Sequence, residues 1–398
     1  MDEEALRLDR REQMQGDQAN LFAAANARLR VAMESDTPFP ERLVHFWSNH
    51  FAVSLGGLPI RSLAADYEFG AIRQGLGGNF AELLHATARH PAMLLYLNQA
   101  QSFGPQSPVA RRRAARNSGR ALGLNENLAR EILELHTLGV RSGYTQADVT
   151  ELARALTGWT VAGTAGGSID RFVEATPGTA VFVEELHEPG TRTVLGQSFA
   201  DTGAQQAPAI LERLARHPST ARHIATKLAR HFIADDPPAA AVERLANVFT
   251  DTDGDLPSLH RALIAVPEVW NAPRLKFRSH WDWVVAALRA SGDATMIDAP
   301  RAGYVMLESL GQTTWSPGSP AGWGDRTSDW ASPGALMARV ELANRFGHRL
   351  RRDIVPSDLA AGILGDALEQ ETLGVLRGAE DAGMGLAVML ASPEFMRR

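Results

Sequence analysis

Two carboxylates and a carboxamide share one face of a helix that is predicted near the middle of the chain. Asn127, Glu131 and Glu134 stand at positions i, i+4 and i+7 within residues 125–136, so they form one polar stripe. Side chains three apart on a helix have Cβ atoms roughly 5 to 6 Å apart. At that range two carboxylates can shift each other's pKa and divide acid and base roles. The stripe therefore predicts Glu131 and Glu134 as a catalytic acid/base pair, with Asn127 and Arg130 as substrate-binding residues.

Two other interpretations of the stripe stay open. It could be a solvated helix face on which Arg130 pairs with Glu134. It could also hold a divalent metal ion, because Glu131 and Glu134 would supply oxygen ligands and His50 or His136 an imidazole. Of the two histidines His50 is the better candidate, since His136 lies two residues beyond Glu134 and roughly opposite it on the helix. No His-x-x-x-His or Glu-x-x-His pattern occurs in this stretch, so we predict no metal ligands here, while a divalent ion stays possible.

A helical hairpin is predicted to hold the stripe in place. Apolar residues recur at helical spacing from Leu124 to Leu135, and this first helix must end at Gly139 or Gly143, because glycine suits the left-handed cap. The run Thr145-Gln146-Ala147-Asp148 is typical of a capping box that starts a second helix, which ends near Trp159. The two helices together form the hairpin.

A strongly amphipathic helix is predicted over residues 41–51. The face that it turns to the core carries Leu43, Phe46, Trp47 and His50. We therefore expect His50 to be buried among aromatic rings or turned into an interior polar site. If this helix packs against the hairpin, His50 lies near Glu131 and becomes a further catalytic residue that tunes the carboxylate pair.

An irregular insertion at about residues 160–205 carries another candidate catalytic group. Its glycines, threonines and isolated apolar pairs predict a short β-hairpin rather than helices, and long irregular segments in compact domains are often functional. The insertion contains His187, whose imidazole could act as a general acid or base if it is exposed. The alternative is an ordinary solvated loop histidine.

A second irregular segment at about residues 311–334 is rich in tryptophan. Trp315, Trp323 and Trp330 lie within sixteen residues of predicted loop. They could form a stacking platform that binds a sugar ring or another flat apolar ligand. Alternatively, the loop is held against the core by its own aromatic side chains.

A basic loop is predicted over residues 100–120, where hydrophobic periodicity is lost. Its arginines are Arg111, Arg112, Arg113, Arg116 and Arg120, with no acidic residue among them. Such a group could bind phosphate, sulfate or carboxylate through bidentate contacts. The alternative is a mobile, solvated loop.

Composition excludes several classes of protein. The 398 residues are 44% hydrophobic and 22% charged, which is typical of a soluble globular protein. A net charge of −6 argues against a nucleic-acid-binding protein, which normally has a basic surplus. The absence of cysteine excludes disulfides, thiolate zinc sites and cysteine nucleophiles. No window approaches the ~18 apolar residues of a membrane span, and the acidic start of the chain is unlike a signal peptide.

The fold class predicted from these patterns is all-α. We expect one large, predominantly helical domain over residues 1–398, interrupted by the insertion at 160–205 and by the tryptophan-rich loop at 311–334. No phosphate-binding glycine loop and no Gly-x-Ser-x-Gly elbow in a strand-turn-helix setting is present, so neither a nucleotide fold nor a serine hydrolase is supported.

Several of these motifs together resemble the bacterial domain-of-unknown-function family 1800. The resemblance rests on Phe46-Trp47-Ser48-Asn49-His50-Phe51, the hairpin at 125–159, the run His187-Glu188-Pro189-Gly190 and the segment 315–339, and it covers nearly all of the chain from about residue 39. Members tend to show Lys-x-Lys-x-Pro before the helix at 281, whereas residues 276–280 here lack the proline.

The resemblance implies a mostly secreted protein that is often encoded beside a sulfatase-like protein, which would be a partner. We therefore expect a periplasmic or secreted location, with the leader missing from the chain as given; a cytoplasmic location stays open. The functional hypothesis is a hydrolase that acts on a glycan or polyanionic polymer through Glu131 and Glu134. The alternative is a non-enzymatic binding or assembly partner, in which a buried network of Asn, Glu and His side chains is purely structural.

Overall fold

The protein is predominantly helical, as predicted. The computed structural model describes residues 3–56, 58–115, 123–164, 175–271, 274–349 and 354–398. Helices far outnumber strands among the described residues, in which the only strands are four of three residues each. The all-α fold class with a small β-containing insertion is confirmed.

Among the described residues between 3 and 156, nine α-helices are present. Their bounds are α1 Glu3–Glu34, α2 Pro38–His50, α3 Leu58–Asp66, α4 Arg73–Gly75, α5 Phe80–Ala88, α6 Pro91–Tyr96, α7 Pro108–Ala115, α8 Asn127–Glu131 and α9 Gln146–Leu156. Two π-helices, in which the backbone bonds to the fifth rather than the fourth residue, interrupt this part of the chain at Tyr67–Ile72 and at Ile132–His136.

The part after the insertion is helical again. It forms α10 Gln206–Ala215, α11 Pro218–Phe232, α12 Ala239–Asp251, α13 Leu256–Ala265, α14 Pro267–Asn271, α15 His280–Ser291, α16 Ala302–Ser309, α17 Thr327–Trp330, α18 Pro333–Gly347, α19 Pro356–Leu364, α20 Gln370–Arg377 and α21 Ala382–Ala391. The tryptophan-rich loop is irregular up to α17, as expected, and α18 begins at its end.

The insertion contains two antiparallel hairpins where one was predicted. Strand β1, Trp159–Val161, pairs with β2, Ala180–Phe182, and β3, Arg192–Val194, pairs with β4, Gln197–Phe199. The predicted apolar pair Phe172-Val173 lies outside the described residues. The second hairpin is held to the helical part of the chain because the backbone N–H of Leu195 donates to Asp148 on α9.

Local sequence explains why α9 begins where it does. The Thr145 hydroxyl accepts the backbone N–H of Asp148, and the Asp148 carboxylate in turn accepts the backbone N–H of Thr145. This reciprocal arrangement satisfies two amide groups that a helix start leaves without partners. The capping box predicted from the sequence is confirmed, and so is the helical hairpin.

The described residues form two large and two small hydrophobic clusters, and the two large ones make up most of the core. The larger one is built from residues between Leu43 and Val266 and includes α2, both arms of the hairpin and α10 to α13. The second is built from residues between Trp281 and Met396, together with Leu29 and Ala32 from the end of α1. Helix α1 thus reaches into the second cluster although it is far away in sequence. The prediction of a single domain stays a prediction.

The predicted basic loop is wrong over part of its length. Arg111, Arg112 and Arg113 lie on α7, Pro108–Ala115, rather than in a loop. This helix buries a single side chain, Val109, so it has no apolar periodicity from which a sequence pattern could identify it. Arg116 and Arg120 lie outside the described residues.

Candidate functional site

The polar stripe lies on α8 and on the π-helix that follows it. Asn127 is exposed, whereas Glu131 and Glu134 are half-buried. The inward side of the same segment buries Leu128, Ile132 and other apolar residues in the larger cluster. A π-helix widens the turn immediately after Glu131, and single π-turns of this kind are frequent at functional sites. The two carboxylates are therefore held by a packed helix and reach the surface.

Glu131 is a carboxyl group without a partner. Among the described residues, no side chain or backbone group forms a hydrogen bond or an ion pair with it. Burial raises its pKa, the neighbouring charge of Glu134 raises it further, and Arg130 opposes the shift. Both raising causes favour the protonated form, so Glu131 has the electrostatic character of a proton donor.

Glu134 has partners that Glu131 lacks. Arg130 places a guanidinium nitrogen 3.6 Å from its carboxylate. Burial and the Glu134 carboxylate together raise the pKa of Tyr144 to about 12, which keeps the phenol protonated beside that carboxylate. Burial and the charge of Glu131 raise the pKa of Tyr96. Each carboxyl group therefore has a half-buried tyrosine within range of its charge.

The start of α8 is fixed to α9 by polar contacts. Glu126 accepts hydrogen bonds from Thr150 at 2.7 Å, from Gln146 at 2.7 Å and from Arg130 at 3.2 Å. Arg130 also donates to the side-chain oxygen of Gln146 at 2.9 Å. Arg130 thus bonds to both arms of the hairpin and also lies beside Glu134. The Arg130–Glu134 pair that the solvated-face interpretation predicts is therefore present.

His50 belongs to a different group of side chains in the interior. Its Nε2 lies 3.1 Å from the backbone oxygen of His136, and its ring contacts those of His136 and His223 with centroids 6.1 and 6.2 Å apart. His223, on α11, bonds through Nε2 to the backbone oxygen of Leu135 at 2.9 Å. The end of the π-helix is therefore held by two histidines. We call His50, His136, His223 and Lys227 the histidine cluster.

Burial keeps the histidine cluster uncharged at its imidazoles. Burial lowers the pKa of His136 to about 3 and that of His223 to about 4, with Lys227 acting in the same direction. The pKa of His50 is also lowered well below its ordinary value, first by burial and then by Lys227. Burial lowers the pKa of Lys227 itself to about 8. Both ring nitrogens of His136 and Nδ1 of His50 are buried and have no hydrogen-bond partner in the described part of the chain.

The expectation that His50 tunes the carboxylate pair stays a prediction. His50 is buried among aromatic rings, as predicted: it contacts Phe46, Trp47, Phe51 and Phe80. However, the charged groups that shift its pKa are Lys227 and the other histidines, whereas those that shift the pKa of Glu131 are Glu134 and Arg130. The two sets share no member, because the helix turns its carboxylates outward and its end inward.

The metal alternative finds no preformed ligand set. Over residues 3–56, 58–115, 123–164, 175–271, 274–349 and 354–398, no group of three or more His, Asp or Glu side chains is arranged to hold an ion.

His187 is buried, so the expectation of an exposed imidazole is wrong. Its side chain contacts the ring of Phe182, and its Nδ1 lies 2.8 Å from the backbone oxygen of Thr157. Its Nε2 lies 3.9 Å from Asp201. The β1–β2 hairpin, whose strand contains Phe182, covers the ring, and this long-range contact could not be read from the local sequence. A catalytic role for His187 stays a prediction.

The three tryptophans are placed as anchors of their loop. Trp315 and Trp330 are buried, and Trp323 is half-buried with its ring 6.3 Å from that of Trp330. The indole N–H of Trp315 donates to Glu68 at 2.8 Å. The cavity that Trp315 and Trp323 line has a volume of about 30 Å³, which is room for a water or two rather than a sugar. This arrangement favours loop anchoring over a stacking platform.

Sequence reasoning missed the neighbours that complete both groups. His223 and Lys227 stand four residues apart on α11, so helical spacing alone could have placed them on one face. Tyr96 had no signal, because its approach to Glu131 depends on how α6 packs. Tyr144 follows Gly143 in the turn that joins the two arms of the hairpin, and its position beside Glu134 depends on that turn.

Comparison with known proteins gives the family and nothing beyond it. No curated protein and no solved structure matches the chain. No helix in the described part of the chain combines the length and the hydrophobicity that a membrane span requires. A family model described as "protein of unknown function (DUF1800)" matches residues 2–397. This match agrees with the resemblance carried by the α2 and hairpin motifs, and the chain belongs to that family.

Proposed function

We propose that the protein is a hydrolase that cleaves glycosidic bonds in a glycan, with Glu131 and Glu134 as its acid/base pair. The observation that carries the proposal is the state of Glu131, a half-buried carboxyl group with a raised pKa and no partner among the described residues. A group that serves only the fold would be satisfied by hydrogen bonds. Glu131 instead has no such bond within the described residues, and burial together with the charge of Glu134 raises its pKa.

The two carboxylates would act in sequence on the same bond. Glu131 donates its proton to the glycosidic oxygen as that oxygen leaves, so the bond breaks to give a new hydroxyl group. Glu134, which lies beside Arg130, removes a proton from the attacking water or adds to the sugar carbon before water does. In both routes one water is consumed, and its oxygen ends on the sugar carbon.

The local charge favours a neutral glycan over a polyanionic polymer. Glu126, Glu131 and Glu134 lie close together with Arg130 as their nearby cation, so the surface is acidic and repels polyanions. Since both carboxylates are half-exposed on a helix face, an extended chain that lies across the surface suits them better than a small enclosed ligand. Asn127, which is exposed at the start of α8, can donate and accept hydrogen bonds with sugar hydroxyls.

The experiment compares carboxamide variants on a panel of neutral and anionic polysaccharides. New reducing ends are measured for the natural chain, Glu131→Gln, Glu134→Gln and the control Glu126→Gln, whose carboxylate is already bonded to α9. Loss of a general acid or base lowers the turnover number by roughly 10²- to 10⁴-fold, while the control should retain most of its activity. If Glu131→Gln and Glu134→Gln cleave as fast as the natural chain, the assignment is wrong.

The alternative of a purely structural network is less well supported by the geometry. It needs Asn127, Glu131, Glu134 and His50 to form one closed, satisfied group, but Asn127 is exposed and Glu131 is unpaired within the described residues. A secreted or periplasmic location and a sulfatase-like partner stay proposals. Cell fractionation tests the first, and co-purification of the two gene neighbours tests the second.

A further inference from the structure

A positively charged pocket lies far in sequence from the carboxylate pair, where the end of α1, the start of α2 and one side of α15 meet. Its volume is about 270 Å³, which is enough for a small ionic group with a short organic body. Its apolar wall is formed by Ala32, Pro38, Trp281, Val285 and Ala286. Its charged lining is formed by Glu41, Arg42, Arg278, Asp282, Arg289 and Arg398. We call it the arginine pocket.

Both carboxylates of the arginine pocket already have partners. Glu41 forms a two-pronged hydrogen bond with Arg73, at 2.8 and 2.6 Å, outside the pocket lining. Asp282 lies 2.6 Å from a guanidinium nitrogen of Arg398. The pocket lining has four arginines, and Asp282 balances one of them. Within the described lining, the other three guanidinium groups form no direct ion pair with a carboxylate.

Two of these three arginines are bonded to the backbone. Arg289 donates to the carbonyls of Ala32, Met33 and Ser35 at 3.0 to 3.3 Å, where the end of α1 carries partial negative charge. Arg278 donates through Nε to the carbonyl of Arg397 at 3.0 Å. Each of these guanidinium groups keeps further N–H donors, because an arginine has five.

Arg42 is the exception, since it has no hydrogen-bond or ion-pair partner among the described residues. Its guanidinium lies 4.8 Å from the ring centroid of Phe232, which supports one face of the planar group and leaves its edge free. Burial, together with the charge of Arg398, lowers the pKa of Arg42 to about 9, while the charges of Asp282 and Asp325 oppose the shift. Neither carboxylate bonds to Arg42, so an anion placed at its free edge would supply the direct partner that this half-buried cation lacks among the described residues.

We propose that the arginine pocket binds an oxyanion group, namely a phosphate, sulfate or carboxylate, through the free edge of Arg42 with Arg278 and Arg398 beside it. The rigid fork of a guanidinium matches two oxygens of such a group. The apolar wall formed by Trp281, Val285 and Ala286 accepts the body of a small organic anion. This site is independent of the carboxylate pair, because the two share no residue.

The test uses inorganic phosphate, sulfate and acetate as probes and the whole chain as the receptor. Isothermal titration calorimetry and thermal melts are run at constant ionic strength set with sodium chloride, so that a general salt effect cancels. The natural chain should bind at least one probe with saturation, and its melting temperature should rise with that probe. If phosphate or sulfate binds most tightly, the pocket prefers a tetrahedral divalent group. If acetate binds most tightly, the pocket prefers a planar monovalent group.

Three variants separate a specific site from a surface effect. Arg42→Met should weaken the tightest probe about tenfold or more, because charge-assisted hydrogen bonds are lost. Arg222→Met, which removes an exposed arginine paired with Glu243, should bind as the natural chain does. Ala286→Glu places a carboxylate at the pocket wall, and it should abolish probe binding and raise the melting temperature without any added anion.

Three results would overturn the proposal. The first is a natural chain that responds to none of the probes beyond its response to chloride. The second is an Arg42→Met variant that folds and binds with unchanged affinity. If Arg42→Met does not fold, the Ala286→Glu variant decides, and undiminished probe binding in that variant is the third.

Discussion

Replacing Glu68 by glutamine is expected to destabilise the protein by about 3 kcal/mol, at the lower end of the range for breaking a buried ion pair. Glu68 is 1% exposed and lies in the first π-helix. One of its oxygens accepts Arg28 Nε at 2.6 Å, and the other accepts the Ser48 hydroxyl at 2.6 Å and the Trp315 indole at 2.8 Å. The carboxylate thus joins α1, α2 and the tryptophan-rich loop.

The magnitude follows from what glutamine can and cannot replace. Glutamine keeps one oxygen that can accept from Ser48 and Trp315, but its amide nitrogen faces Arg28 as a second donor. The Arg28 guanidinium, whose side chain is 10% exposed, is then left without its counter-charge. Removing one partner of a buried ion pair costs 3–5 kcal/mol. The ring of Trp281, 4.1 Å from the guanidinium, offsets about 0.5 to 2 kcal/mol, which places the loss near the lower end.

Urea unfolding followed by tryptophan fluorescence measures the effect. The midpoint should fall while the slope of the transition stays the same, because the mutation changes stability and not the surface exposed on unfolding. The matched control is Glu41→Gln, whose two bonds to Arg73 lie in a partly exposed pair and should contribute about 1 kcal/mol or less. If Glu68→Gln loses less than about 1 kcal/mol, or no more than the control, the buried network does not hold these three segments together.

Three further predictions concern single side chains. Glu131→Gln should leave the free energy of unfolding unchanged near pH 4 and raise it at pH 7 by roughly 0.2–0.5 kcal/mol. The reason is that a carboxyl group whose pKa is raised on folding destabilises the protein once the pH exceeds its unfolded pKa. Chemical unfolding at both pH values checks the sign, and a clear loss of stability at pH 7 would contradict it. His136→Leu should leave the free energy of unfolding unchanged or increase it by up to about 1 kcal/mol, since two buried ring nitrogens lack partners within the described residues. A loss of about 2 kcal/mol or more in the same assay would mean that the ring binds a group in the interior. Of the two lysines in the chain, Lys227 should react first with a limiting amount of acetic anhydride at pH 8. Its pKa is about 8, whereas Lys276 is bound to Asp235 at 3.0 Å. Peptide mass spectrometry gives the order of acetylation, and equal labelling of both lysines would refute the lowered pKa.

The sequence predicts those parts of the structure that short-range physics determines. The capping box at Thr145 was identified from its residues because it is a contact over three positions. The burial of His50 followed from the helical spacing of its apolar neighbours. Asn127, Glu131 and Glu134 lie on the outer side of their helix, as the same spacing predicts.

The remaining features depend on long-range packing, which a sequence pattern does not contain. His187 looked like an exposed loop residue, but a hairpin folds over it and places Phe182 on its ring. The histidine cluster joins side chains from α2, the π-helix and α11, and no local motif connects them. The π-helix itself was not predicted, because apolar periodicity over five residues does not distinguish it from an α-helix.

The acid/base assignment depends most directly on the pKa of Glu131, which can be measured without knowing the substrate. Carboxyl carbons of ¹³C-labelled glutamate are titrated by NMR, and the Glu131 signal is assigned as the one that Glu131→Gln removes. We predict a pKa above the ordinary glutamate value of about 4.3, and a decrease in the Glu134→Gln variant, since the neighbouring charge that raises it is gone. The acid/base assignment would be contradicted by a Glu131 pKa that lies at or below the ordinary value and does not change in the Glu134→Gln variant.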